Sequence, residues 1–159
     1  MKRVLLIVTM LVATMSFANA QTDSNTKNIQ EVYDFLKKSN PYYLATVEGD
    51  QPRVRPFGTI AIFEGKLYIQ TGKSKKVFRQ IMANSKIEIC AFNGTDKWIR
   101  VQAKAIADNR REAKQFMLDA YPDLKAMYSA DDDNTQVLYL KDVTVTIDSF
   151  TGESKVMQF

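Results

Sequence analysis

A mainly β fold, an antiparallel barrel carrying peripheral helices, is predicted by three features of this 159-residue chain. Short apolar stretches are separated by Gly-containing turns at Glu48-Gly49-Asp50, Glu64-Gly65-Lys66 and Asn93-Gly94-Thr95-Asp96, the pattern of hairpin-connected strands. Helical periodicity is confined to a few segments, and helices do not alternate regularly with strands as in βαβ units. No glycine fingerprint for dinucleotide phosphates is present, so a doubly wound parallel sheet is disfavoured.

Taken in order, residues 1–20 have the form of a secretory signal. Lys2 and Arg3 precede a nearly continuous apolar run from Val4 to Val12, and Ala18-Asn19-Ala20 has the small-x-small pattern of a cleavage site after Ala20. The apolar run is too short for a comfortable membrane span. A secreted or periplasmic protein without a stable membrane anchor is expected, with a polar linker over 21–28 and one domain over 29–159. Ile29, Val32, Tyr33 and Leu36 mark a helical face that Asn40-Pro41 ends. Tyr42–Val47, Gln51–Phe63 and Leu67–Thr71 follow as a three-stranded meander. A helix opens at Gly72 to Ser74 and runs to about Ala83, then strands Lys86–Phe92 and Trp98–Ala107. Asp108 is placed to cap a helix with Ala113, Phe116, Met117 and Ala120 on one face. Pro122 interrupts it before a short helix over Leu124–Tyr128, and strands over Val137–Phe150 and Lys155–Phe159 close the chain.

Composition removes several function classes. The sequence has no histidine, which excludes His-based triads, His-metal sites and imidazole acid–base chemistry. Cys90 is the only cysteine, so no intramolecular disulfide is possible. The formal charge of +4 falls to +2 once Lys2 and Arg3 are removed, and no long basic run remains to suggest nucleic acid as a partner. Asp131-Asp132-Asp133 lacks the glycine and terminal Glu of a calcium loop, and no metal site is expected.

The strongest chemical signal lies between Arg53 and Lys76. Arg53 and Arg55 project from one face of a strand, and two guanidiniums so placed repel unless an anion or an acidic partner lies between them. A ligand phosphate is one candidate, and Glu48 or Asp50 the other. Ser74, Lys75 and Lys76 stand at a helix start, where a hydroxyl, ammonium groups and free amides converge on a phosphate. The alternative there is an N-cap followed by solvated lysines. Trp98, with Lys97 and Arg100 nearby, suits either stacking on a flat ring or core packing. No side chain has the surroundings of an activated nucleophile, so redox or transfer chemistry would come from a bound cofactor.

Ordered along the chain, Tyr-Leu-Ala-Thr-Val at 43–47, Pro-Arg-Val-Arg-Pro-Phe-Gly at 52–58, Leu-Tyr-Ile-Gln-Thr at 67–71, Ser-Lys-Lys-Val at 74–77, Ile-Glu-Ile-Cys-Ala-Phe at 87–92 and Trp-Ile-Arg-Val at 98–101 resemble the pyridoxamine 5'-phosphate oxidase-like family. The set looks like its small flavoprotein branch, which includes nitroimidazole-resistance proteins. The resemblance implies an FMN-binding split β-barrel that works as a homodimer with FMN at the interface. It implies cofactor contacts from Arg53, Val54, Arg55, Pro56 and Phe57, from Gln70 and Thr71, and a phosphate grip from Ser74, Lys75 and Lys76. Lys stands where the oxidase has Arg, which keeps the charge and loses bidentate geometry. Trp98 stands where the oxidase has a flavin-contacting Gln, and Trp98 and Arg100 would reach the flavin from the partner subunit. The oxidase's Arg and His substrate element has no counterpart here, so pyridoxamine phosphate oxidation is not implied. The expectation is an exported FMN-dependent oxidoreductase passing electrons from a small donor to a small acceptor. A non-enzymatic carrier of flavin or haem is the alternative.

Overall fold

Alternating apolar and polar side chains give strands with one buried face, and this chain joins such strands into a single curved sheet. The computed structural model describes residues 23–159, so the expected signal at 1–20 and its cleavage site lie outside the described residues. Helix α1 covers 23–38. Residues 23–28, expected within a linker, are therefore helical. Apolar spacing marks only the turns that reach the core, through Ile29, Val32 and Leu36, and the solvent-facing turns before them carry no such signal.

Eight strands follow: β1 (Tyr42–Glu48), β2 (Gln51–Phe57), β3 (Ala61–Phe63), β4 (Lys66–Gly72), β5 (Lys86–Phe92), β6 (Lys97–Asp108), β7 (Thr135–Ser149) and β8 (Lys155–Gln158). Helix α2 (Lys76–Ala83) lies between β4 and β5, and α3 (Arg111–Ala120) with a 3-10 turn (Pro122–Ala126) lies between β6 and β7. The sheet order is β2-β1-β5-β6-β7-β4-β3, antiparallel throughout, with β8 added to β7.

That order corrects the expected meander. Gln51–Phe63 is not one strand but two. β2 pairs with β1 at one edge of the sheet, and β3 pairs with β4 at the other. Gly58, Thr59 and Ile60 carry the chain from edge to edge, and no ladder joins β2 to β3 among the described residues. This is the opening of a split barrel. Between β3 and β4, Glu64 and Gly65 both have positive φ (48° and 71°), as a two-residue type I′ hairpin requires.

The core lies between the sheet and α1 and α2. Tyr42 and Leu44 of β1, Ile87 and Ile89 of β5, Ile99 and Val101 of β6, and Val143 and Val145 of β7 point into it. α2 contributes Val77 and Ile81. Asp108 does not cap α3. It lies outside the helix, where it accepts the Arg110 N–H at 2.9 Å and pairs with the Arg110 guanidinium. On α3, Ala113, Lys114, Met117 and Leu118 are buried, while Phe116 stays partly exposed against Phe63 and Ala120 is exposed.

Candidate functional site

In β2 the usual alternation places charge on the inner side of the sheet. Thr46, Leu44 and Tyr42 of β1 are buried, and they pair with Arg53, Arg55 and Phe57. The two arginines therefore face the barrel's split end rather than the outer solvent. They follow different fates there. Arg53 pairs with Glu48 at 2.9 Å, the acidic-partner alternative. Arg55 turns under α2, where Nη1 donates to the Leu44 carbonyl at 3.0 Å and to Thr46 Oγ1 at 2.8 Å, and Nη2 donates to Gln80 Oε1 at 2.8 Å. All three acceptors are neutral, and Arg55 makes no ion pair among those found between described residues. Burial first, and then the Arg53 charge, hold its pKa below the ordinary value. The Glu48 charge offsets this only as the smallest influence; a half-buried cation without an ion-pair partner is costly, and an anion is the species that relieves it.

Arg55 is the wall between two cavities. The larger, of about 710 Å³, is bounded by Arg55, Pro56 and Phe57, by Gln70 and Thr71 of β4, and by Lys75. The smaller, of about 350 Å³, is lined by Glu48, Arg53, Val54, Lys76 and Gln80. Within the larger cleft, Gln70 and Thr71 are only 6% and 3% exposed. The Gln70 amide nitrogen and oxygen and the Thr71 hydroxyl nevertheless have no hydrogen-bond partner. Buried polar atoms are rarely left so, and at a cleft wall they fit a ligand with both acceptors and donors.

Ser74 is not the N-cap of α2. Lys75 holds that position with no side-chain cap, leaving the first helical amides unpaired by any side chain. The Ser74 N–H instead donates to Asn134 Oδ1 at 3.0 Å, which ties the turn before α2 to the loop before β7. Neither cavity includes Ser74. Trp98 and Arg100 are also elsewhere. Arg100 lies in the cross-strand row of Pro56, Tyr43 and Cys90, on the outer side of the sheet, where it pairs with Asp148 at 3.1 Å. Trp98 packs on Phe150, with ring centroids 5.2 Å apart. Within one chain these two residues do not meet the cleft.

The far wall of the cleft was not read from the sequence. Tyr121, Leu124, Met127 and Tyr128, from the end of α3 and the 3-10 turn, face Arg55 to Thr59 across it. Tyr121 Oη accepts the Ile60 N–H and donates to the Ile60 carbonyl, both at 2.9 Å, so it fastens this wall to the β2–β3 crossing. Lys75 Nζ stands 5.8 Å from the Tyr128 ring centroid. Pro122 after an apolar helix marked a bend in the chain, but nothing local says where that bend docks. The result is an amphipathic cleft, with ammonium, guanidinium and amide groups on one side and aromatic and thioether side chains, with the Asp123 carboxylate, on the other. Such a cleft accepts a flat ligand that carries an anionic end.

Residues 29–146 match the pyridoxamine 5'-phosphate oxidase family, and the chain belongs to it. It is similar to a NimC/NimA family protein from Clostridium acetobutylicum, at 43% identity over 88% of this chain and 98% of that one, with a TM-score of 0.84. A pyridoxamine 5'-phosphate oxidase-related, FMN-binding protein from Nostoc punctiforme shares the fold, at 15% identity, 89% and 94% coverage and a TM-score of 0.54. So does a haem-binding protein from Mycobacterium smegmatis, at 15% identity, 86% and 57% coverage and a TM-score of 0.59. No curated protein matches the chain.

Proposed function

We propose that this protein is an exported FMN-dependent oxidoreductase that works as a homodimer. The observation that carries the cofactor is the pairing, in one cleft, of an Arg55 held by neutral acceptors with the unpartnered Gln70 amide and Thr71 hydroxyl. Arg55 and Lys75 would receive the phosphate side of the ligand, helped by the open amides at the start of α2. Gln70 and Thr71 would satisfy its polar edge, and Phe57, Leu124 and Tyr128 would cover its ring. Arg53 and Lys76, in the adjoining cavity, add positive potential. When bound, flavin would supply the capacity to accept hydride or electrons from a small donor and pass them to a small acceptor. The chain would supply position, charge and exclusion of water. The FMN-binding protein from Nostoc punctiforme supports this choice of ligand.

The homodimer reading rests on the outer side of the sheet. Tyr43, Val54, Phe92, Phe150 and Val156 are large, exposed apolar residues, and Trp98 and Arg100 lie among them. A second copy packed there would bring its own Trp98 and Arg100 toward the first copy's cleft. Export rests on the pattern at 1–20, from Lys2-Arg3 to Ala18-Asn19-Ala20.

A carrier of haem is the second reading, favoured by the haem-binding protein that shares the fold. A chain without histidine has no imidazole to offer the iron and would have to use a cleft Tyr or Met instead; the cationic Arg55 and Lys75 side favours a phosphate-bearing ligand. Visible absorption of the protein from Gln21 onward, mixed with FMN and then desalted, tests the reading. Retained flavin bands are expected, with re-oxidation by an acceptor faster than that of free FMN. Retained flavin without faster turnover would make the protein a carrier, and a colourless protein that takes up haem would overturn the FMN assignment. Arg55→Ala should weaken FMN binding by about 1–3 kcal/mol, the worth of a charge-assisted hydrogen bond.

A further inference from the structure

Gln80 lies inside α2, is 6% exposed, and belongs to none of the motifs that mark this cleft. Its Oε1 accepts from Arg55 Nη2 at 2.8 Å and from the Thr46 hydroxyl at 2.7 Å. Thr46 Oγ1 in turn accepts from Arg55 Nη1 at 2.8 Å. Guanidinium, hydroxyl and amide thus close a triangle, and both nitrogens of the guanidinium fork are fixed by it. On the other side of Gln80 stands Glu48. Hydrogen bonding from Gln80, and after it the Arg53 guanidinium, hold the Glu48 carboxyl below its ordinary value. Gln80 thus lines the same small cavity as the Glu48 carboxylate while it holds the Arg55 guanidinium. Glu48 goes to Arg53 at the surface, and Arg55 keeps neutral hydrogen-bond acceptors only, with the Glu48 charge as the smallest influence on it.

We propose that Gln80 is the positioning residue that keeps Arg55 aimed and electrically unspent, and that it thereby selects phosphate-bearing ligands over their dephosphorylated forms. The proposal rests on the FMN reading and adds the source of its selectivity. A carboxylate at position 80 would keep the shape and the hydrogen bonds to Arg55 and Thr46. It would also neutralise the charge meant for the ligand. Thr46 has the secondary role of fixing the rotamers of both partners.

The test compares FMN with riboflavin, which share the ring and differ by the phosphate. Dissociation constants for both are measured by flavin fluorescence on the wild type, on Gln80→Glu and on Thr46→Val. The wild type should prefer FMN. Gln80→Glu should lower the FMN to riboflavin preference about tenfold or more, and leave riboflavin affinity within about twofold, because the ring-side lining at Phe57, Gln70, Thr71, Leu124 and Tyr128 is left in place. Thr46→Val, which removes the hydroxyl at nearly constant volume, should lower the same ratio about threefold, so the role stays testable if Gln80→Glu does not fold. A wild type that prefers FMN, with a preference unchanged in both variants, overturns the role of Gln80 and leaves the FMN reading standing. A wild type that binds neither flavin, or binds both equally, overturns the FMN phosphate grip and this proposal with it.

Discussion

Asp132 shows how much one side chain in a loop can settle. Its carboxylate accepts the Thr135, Ser129 and Asn134 backbone N–H groups and the Thr135 hydroxyl. Those bonds, the Thr135 amide foremost, bring its pKa down to about 2 from the ordinary 3.8. Folding lowers this carboxyl, so the stability it contributes is complete above about pH 4 and is lost as the pH falls toward about 2. Asp132→Asn should therefore flatten the acid limb of a thermal-unfolding series between those values, and a series unchanged by the substitution would contradict the assignment. The same loop supplies Asn134, which holds the Ser74 amide, so the acidic run serves the turn before α2. In the sequence, Asp131-Asp132-Asp133 read only as solvated charge. What was legible at this scale was the side-chain direction of Arg53 and Arg55, because it follows from strand geometry alone. The division of labour between them was not legible. It depends on Glu48 and Gln80, which approach from a hairpin and a helix.

At the level of elements, the turns and most strands were readable because their signals are local. Glu64-Gly65 and Asn93-Gly94 sit where chain reversal needs positive φ at glycine. The break between β2 and β3 was missed because the apolar residues resume directly after Gly58, although Pro56 and Gly58 are the local signals that a strand ends there. The interruption is enforced from outside as well, by groups far along the chain. Tyr42 Oη donates to the Thr59 carbonyl at 2.7 Å, and Tyr121 Oη takes both polar groups of Ile60. Tyr121→Phe leaves the Ile60 N–H and carbonyl without that partner at a site only 1% exposed. It should cost about 1–3 kcal/mol in denaturant unfolding. Because this hydroxyl also fastens the α3 end of the cleft, flavin affinity should fall with stability, whereas Tyr128→Phe should leave stability unchanged. Equal behaviour of the two variants would contradict the role of the Tyr121 hydroxyl at the crossing.

For the whole molecule, the decisive question is why the outer side of the sheet exposes several large apolar side chains. Pro56, Tyr43, Cys90, Arg100, Thr146 and Val156 form one cross-strand row there, and Val54, Phe150 and Val156 are 64%, 71% and 62% exposed. Exposed large apolar side chains, interspersed here with Arg100, Thr146, Glu88 and Gln102, have the mixed character of interaction surfaces, and a sheet face presented to a second copy gives a closed, two-fold assembly. The outer row and the inner arginines share β1 and β2, so a partner seated on Tyr43 and Val54 lies one strand's thickness from the cleft. Tyr43→Glu puts a charge in the row, one strand in from the β2 edge, without touching the core. Sedimentation should give twice the chain mass for the wild type and the single mass for Tyr43→Glu. If the partner's Trp98 and Arg100 complete the cleft, the monomeric variant should also lose FMN affinity by tenfold or more, and Trp98→Ala should lose affinity while remaining dimeric. A wild type that sediments as a monomer and still retains FMN would mean that one chain's cleft is sufficient, and the apolar face would then have to be assigned to a different partner.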